Sequence, residues 1–404
     1  MKSIKNFALL IMLSIIIGGI GGLCGAAFSK AVEFVTNTRA NHNWLLYLLP
    51  LGGLLSVAIY KLCRVKNVGT TNVFDSVRDK EKLPPLLAVA VFCGTCISHL
   101  FGSSSGREGA ALQIGGGVAN VFSNLFKLDD DTRHKLIMCG MAALFSAVFG
   151  TPLAACFFAI EVILSSICLS AATPVLVSSI SGYAVARLLH VHPERFNIGV
   201  LPQISFSVVW KITLITAAGV LVAFVLCAGL EHGKTLAKKL LKNEYLRITI
   251  GGAVIIGLTL LVGNYEYNGG GIDIIERVFE GSVRYEAFAL KLLFTVICVA
   301  CGYKGGEIIP TLFIGATLGG TLAIVLGLPI GTGAAVGMAV LFVCATKCPI
   351  ATVFLCLEMF GFSCALLIVP VVIVSFCLAR YKGLYKNVHD VIYLIRNSKR
   401  KPLE

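Results

Sequence analysis

Charge is scarce in this chain. Only 14% of its 404 residues are Asp, Glu, Lys or Arg, 57% are hydrophobic, and the mean hydropathy is +0.87. A soluble domain carries about a quarter charged residues, so a water-soluble enzyme and a disordered chain are both excluded. Acids are scarcer than bases: 21 Asp plus Glu stand against 34 Lys plus Arg, a formal charge of +13. No motif for binding RNA or DNA accompanies that excess, and nucleic acid is not an expected partner. It reads as basic loops at a membrane surface. Long polar stretches are also missing, so no soluble regulatory domain is expected, and residues 391–404 read as a short basic cytoplasmic tail.

Cysteine, by contrast, is plentiful, with 15 residues. Most sit in apolar runs, as at Cys156, Cys227, Cys344 and Cys377, and read as small reduced core residues. Cys93 with Cys96 and Cys298 with Cys301 have CxxC spacing, which in water suggests metal or redox chemistry. Both pairs lie in hydrophobic sequence with only His99 nearby, so packing is preferred and neither metal nor cofactor is expected.

The first apolar run, residues 7–23, follows Lys2 and Lys5 and imitates a signal peptide. It has no clean small-residue cleavage site, and Leu23 directly before Cys24 does not suit a lipoprotein, so it reads as a retained helix with a cytoplasmic N-terminus. Apolar segments then recur at 44–60, 86–101, 137–169, 208–230, 248–262 and 287–301. Basic clusters at 61–82, 127–135 and 234–247 are candidate interfacial loops. Several runs fall short of the ~20 residues that span a bilayer, or are broken by Gly and Pro. The expected class is therefore an all-α polytopic membrane protein with short, interrupted helices.

Self-comparison is the most informative step. The stretch GMAALFSAVFGTPLAACFFAIE, residues 140–161, recurs without a gap as GMAVLFVCATKCPIATVFLCLE, residues 337–358. The opening Gly-Met-Ala, the prolines Pro152 and Pro349 and the closing glutamates coincide. A period this long signals duplicated halves, 1–200 and 201–390, rather than a solenoid. Upstream of each copy stands a second pair, GREGAALQIGGG from Gly106 and GGEIIPTLFIGATLGG from Gly305. Each puts a glutamate in a Gly-rich break before an apolar helix, the pattern of transporters whose site forms where half-helix N-termini meet.

Helix N-termini expose unpaired N–H groups and a positive dipole end, so several converging in a membrane make an anion site without a full positive charge. Glycines such as Gly106 and Gly109 let the backbone come close. Glu108, between Arg107 and Gly109, is the first functional candidate: ionised, it competes with an anion for those N–H groups, and protonated, it swings away. The alternative is a structural N-cap or a salt bridge with Arg107. Two readings are open for Glu307, a second proton or ion-contact site or a capping carboxylate paired with Lys304. Glu161 and Glu358 follow identical Pro-to-Glu spacings, which favours bonding of loop N–H groups. In Gly69-Thr70-Thr71-Asn72-Val73 the hydroxyls and amide suit anion donation, or a solvated helix cap.

Together these motifs resemble the CLC family of chloride channels and anion/proton antiporters over nearly the whole chain. GREG at Gly106, the Gly-Gly-x-x-x-Pro run from Gly305 to Pro310, the two Pro-to-Glu helices and the late Gly-x-x-Tyr element match in order and spacing. The resemblance implies a homodimer with a pore in each subunit, built from two halves of inverted topology. It makes Glu108 the external gating glutamate and Tyr385 the central tyrosine, and it sets Thr70 where chloride-type members carry the serine of a Gly-Ser-Gly-Ile-Pro loop. Three departures are informative: the loop reads GTTNV, Ala110 replaces a proline after GREG, and Glu307 adds an acid to the second-half motif. All three are similar to the fluoride-exporting branch of the family. Val162 stands where many chloride/proton antiporters carry an internal relay glutamate.

Fluoride is a small, strongly hydrated anion, so moving it demands dense hydrogen-bond donation. Thr70, Thr71, Asn72 and Tyr385 are candidate donors beside the backbone of Gly106, Arg107 and Gly109, with Ile308 and Ile309 as the apolar wall. The expected activity is fluoride export in exchange for protons across a bacterial plasma membrane, with no enzymatic reaction. The rivals are a chloride/proton antiporter, a passive anion channel, and a membrane redox enzyme using the CxxC cysteines.

Overall fold

The computed structural model describes residues 2–65, 69–78, 83–163, 168–381 and 383–385. The expected tail, 391–404, lies outside them, as do parts of the basic cluster at 61–82. The first half comprises α1 (Lys2–Asn41), α2 (Leu49–Leu62), α3 (Thr70–Arg78), α4 (Leu87–Leu100), α5 (Glu108–Leu125), α6 (Asp130–Phe149), α7 (Pro152–Ile163) and α8 (Cys168–Leu188). The second comprises α9 (Phe206–Leu240), α10 (Glu244–Val262), α11 (Ile272–Phe279), α12 (Ala287–Cys301), α13 (Ile308–Leu326), α14 (Ile330–Thr346), α15 (Pro349–Phe360) and α16 (Ala365–Leu378). The fold is all-α, and its only β-type pairing among the described residues is a single antiparallel bridge between Gly106 and Gly306.

Length and sequence chemistry set these elements. Helices long and apolar enough to cross a membrane lie at Asn6–Asn41, Asn43–Leu62, Phe206–Leu240, Glu244–Val262 and Ile308–Leu326, while most of the others are shorter. The 7–23 run belongs to a helix that continues to Asn41. Polar caps start the helices that leave loops. Asp129 accepts from the Thr132 N–H at 3.0 Å, Asn243 from the Tyr245 N–H at 2.9 Å, and Ser205 from the Val208 N–H at 3.3 Å. The apolar stretch 137–169 breaks at Gly150, whose φ of 75° ends α6 in the left-handed conformation, and Pro152 starts α7. At the matching place in the second half Lys347 takes φ 62°, so a side chain there accepts the strain that glycine avoids.

Packing repeats between the halves. In the first, α4 packs on α5, α5 on α6 and α1 on α6; in the second, α12 packs on α13, α13 on α14 and α9 on α14. Small residues bring the central pairs close. A Cβ on Gly115 would collide with the Gly140 carbonyl, and one on Gly319 with the Gly333 carbonyl. Lipid tails supply no hydrophobic drive between helices, so such close approach is what holds them together in a bilayer.

The halves are joined by reciprocal bonds. Glu161 at the end of α7 accepts from the N–H groups of Ile350 (3.0 Å) and Ala351 (2.7 Å) at the start of α15. Glu358 at the end of α15 accepts from Leu153 (3.0 Å) and Ala154 (2.9 Å) at the start of α7. Each carboxylate therefore caps the other half's helix, so the structural reading of these two acids holds, and their partners come from across the repeat rather than from a local loop. At the bridge, the Gly106 N–H donates to the Gly306 carbonyl (2.7 Å) and the Gly306 N–H to the Gly106 carbonyl (2.6 Å). Because the bridge is antiparallel, the chain leaves it in opposite directions into α5 and α13, as inverted topology requires. We divide the halves within the segment between α8 and α9, which contains residue 200.

The CxxC pairs lie on α4 and α12. Cys298 is buried and its Sγ accepts from the Ser104 N–H at 3.2 Å, while His99 Nδ1 lies 3.1 Å from the Thr95 carbonyl, one turn back on its own helix. No group of three His, Cys, Asp or Glu that could hold a metal occurs among the described residues.

Two outcomes are expected. Glu161→Ala strands two buried N–H donors and should cost about 2–4 kcal/mol, read as a lower melting temperature in detergent, with Glu161→Gln losing less because one acceptor remains. A water-soluble maleimide should leave Cys298 unmodified in proteoliposomes and modify it after denaturation; rapid labelling of the native protein would restore the redox reading.

Candidate functional site

The bridge brings two helix N-termini face to face. Glycine is required on both sides of it: a Cβ on Gly306 would sit 2.5 Å from the Gly109 nitrogen, and one on Gly109 would sit 3.0 Å from the Gly306 Cα. The first N–H groups of α5 and α13 thus converge on one small volume inside the protein.

Glu108 starts α5 and is 1% exposed. Its side chain folds back over its own helix N-terminus, where Oε2 accepts from the Arg107 N–H at 3.0 Å and lies 2.5 Å from where a Gly106 Cβ would stand. An acceptor carboxylate thereby takes up a helix N-terminal N–H. Beyond it opens a cavity of about 560 Å³, lined by Glu108, Arg107, Gly106 and Ile309 together with His99, His192 and Glu194. Ile308 and Ile309 are buried, and Ile309 packs beside Gly106.

Arg107 contributes its backbone N–H, but its guanidinium does not face an anion. Nη2 pairs with Glu194 at 2.6 Å and Nε stands 3.7 Å from Glu108. The expected salt bridge to Glu108 is therefore the longer of two contacts.

Glu307 differs from expectation. It precedes α13 but makes no side-chain cap bond, and it pairs with Lys234 of α9 at 3.5 Å rather than with Lys304. Lys304 instead lies over the Tyr60 ring, 4.3 Å from its centroid. Glu307 does not line the cavity above Glu108, and its side chain is 17% exposed. The two glutamates thus flank the bridge, each with its own surroundings.

GTTNV is not a loop, because Thr70 is the first residue of α3 and Thr71 and Asn72 complete its first turn. A third helix N-terminus joins the site. Thr70 is buried, its Oγ1 accepts from Gln113 Nε2 at 3.1 Å and lies 3.5 Å from the Gly109 carbonyl. Asn72 Oδ1 accepts from the Gly69 N–H at 2.8 Å, which closes the turn. Thr71 is half-buried beside it. Phe74, one turn after Thr70, meets the edge of Tyr385 with ring centroids 5.1 Å apart, and Phe158 of α7 meets it at 6.2 Å. Tyr385 is buried and its hydroxyl has no hydrogen-bond partner among the described residues, while its electrostatic neighbours include Glu307 and Glu108.

Sequence reading missed three residues. Gln113 lies four residues after Gly109 on the same face of α5 and donates to the Gly109 carbonyl at 3.2 Å, so helical periodicity could have found it. Glu194 and Lys234 come from chain segments distant in sequence, and no motif marks them. Where a relay glutamate would stand, Val162 is buried and its carbonyl accepts from Arg78.

Residues 52–380 match the family model described as voltage gated chloride channel. The chain is 32% identical over 378 residues to a chloride/fluoride channel protein of Pseudomonas syringae pv. tomato, covering 91% of this chain and 83% of that one. It is 27% identical over 390 residues to an H(+)/Cl(-) exchange transporter of Vibrio campbellii, covering 88% and 82%. A crystal structure of a CLC-type fluoride/proton antiporter superposes with a TM-score of 0.90 at 31% identity, covering 95% of this chain and 98% of that one. A slow cyanobacterial chloride/proton antiporter shares the fold at a TM-score of 0.75 and 18% identity, covering 97% and 98%. With its broken-helix N-termini, its inverted halves and these matches, the chain belongs to the CLC, or voltage gated chloride channel, family.

Proposed function

We propose that this protein exports fluoride from a bacterial cell across the plasma membrane in exchange for protons, acting as a homodimer with one pathway per subunit. The observation that carries the reading is the Glu108 carboxylate folded over the N-terminus of α5, on the N–H that an anion would otherwise take. Protonation removes that attraction and frees the N–H groups, so proton uptake from the cavity and anion passage use one side chain. Glu307, on the other flank of the bridge, supplies a second carboxylate for the proton, in place of the relay position held by Val162.

Fluoride is supported over chloride by two considerations. The site is dense in donors: the N-termini of α3, α5 and α13, the Thr70 hydroxyl, held in place by the Gln113 amide, and the Tyr385 hydroxyl, which has no partner among the described residues. Such donors replace the tightly held water of a small anion. The relative and the solved structure whose names include fluoride also share more identity with the chain, 32% and 31%, than the chloride exchangers, 27% and 18%.

Efflux from proteoliposomes loaded with fluoride or chloride, with external pH recorded, tests the proposal. Fluoride release with proton uptake and little chloride movement is expected. Comparable chloride flux would make the protein a chloride antiporter, and flux without proton movement a channel. Glu108→Gln should abolish proton coupling, and intact coupling in that variant sinks the gating role. Removing one donor with Thr70→Val should raise the fluoride concentration for half-maximal flux about three- to tenfold, since a net hydrogen bond is worth about 1 kcal/mol.

A further inference from the structure

Arg107 is the nearest full positive charge to the Glu108 carboxylate, and it is shared. Its guanidinium makes a 2.6 Å bond to Glu194 and stands 3.7 Å from Glu108, with the side chains of Arg107 and Glu194 both largely buried. Glu194 is held in place by its backbone. Its N–H donates to the Phe149 carbonyl at 3.1 Å at the end of α6, and Pro193 packs against Gly150. Two residues on, the Phe196 N–H donates to the Met359 carbonyl at 3.0 Å on α15. The segment between α8 and α9 is thus pinned to both halves, and the carboxylate it presents cannot drift with the gate.

We infer that Glu194 is a positioning residue for the Glu108 gate: by taking the shorter contact it limits the Arg107–Glu108 pair to 3.7 Å and so sets the acidity of the cavity at which exchange proceeds. The inference rests on the proposed fluoride/proton exchange. An Arg107 released from Glu194 would close on Glu108 and hold it ionised on the helix N-terminus, where it blocks the anion. The Glu194 charge also opposes ionisation of Glu108 directly, so both effects have the same sign.

The other charges around the gate do not substitute for Glu194. From α1 come Lys30, Glu33 and Arg39, from α4 His99, and from α11 Asp273 and Glu276, all lining the same cavity. His190 and His192 precede Glu194 in its own segment. From α12, Lys291 is buried with its Nζ given to the carbonyls of Tyr267 (3.3 Å) and Gly269 (2.6 Å). Among the described residues only Glu194 and Glu108 are in ion-pair range of the Arg107 guanidinium.

Fluoride efflux and proton uptake from proteoliposomes, measured over a range of external pH, test the inference. Glu194→Gln should move the half-maximal point of exchange about one pH unit toward acid, whereas Glu194→Asp, which retains the charge, should keep it near the wild-type position. Arg107→Gln should move it toward alkaline pH, and Glu194→Gln added to that variant should produce less than its shift alone. An unshifted profile for Glu194→Gln, even with a lower melting temperature, would mean a structural residue and overturns the inference. If Glu194→Gln does not fold, Arg107→Gln decides: an unshifted or acid-shifted profile overturns it. Coupled exchange in the wild type with no shift in the variants defeats only this inference, whereas a wild type without coupling defeats the exchange reading and the inference with it.

Discussion

The structure depends on two hydrogen bonds between Gly106 and Gly306. A bilayer offers no water to irregular backbone, so a chain that breaks its helices inside a membrane must satisfy the freed groups within the protein. Here each half supplies the partner for the other half's break, with bonds of 2.7 and 2.6 Å. Their mutual pairing aims the N-termini of α5 and α13 at a common point, so the proposed anion site shares the geometry that solves the backbone problem.

The same exchange recurs at Glu161 and Glu358, each on the other half's helix start. At those positions the duplicated residues keep the same duty. Nearer the bridge they diverge. Glu108 turns back onto its own N-terminus beneath a charged cavity, while Glu307 meets Lys234. A two-fold arrangement of backbone therefore carries an asymmetric pair of carboxylates, which suits a pathway whose two ends face different solutions. In the proposed site, helix dipoles and hydroxyls would give the moderate binding that conduction asks for, with the nearest guanidinium tied to a carboxylate.

Much of this was legible in the sequence because it depends on local composition. The scarcity of charge specified a membrane protein, the repeat of 140–161 at 337–358 specified paired halves, and glutamates set in Gly-rich breaks marked the helix starts at Glu108 and Ile308. Other readings fell short where they assigned partners by closeness in sequence. Lys304 was the near partner for Glu307, yet Lys234 reaches it from another helix. Arg107 does pair with Glu108, at 3.7 Å, but its shorter contact, to Glu194, was not legible in the motif. For GTTNV the sequence left a helix cap open beside an anion-donating loop, and Asn72 does close a turn onto Gly69 where α3 begins.

The sequence by itself determined the Gly-rich breaks before α5 and α13, the duplicated halves, and which acids lie within apolar surroundings, because sterics and hydropathy act over a few neighbouring residues. Only the tertiary structure decided what each charged or polar side chain faces. Long side chains reach several ångströms across helix contacts, and those contacts join residues far apart in the chain, so the partners of Glu108, Glu307 and Thr70 are properties of the packing rather than of the motifs.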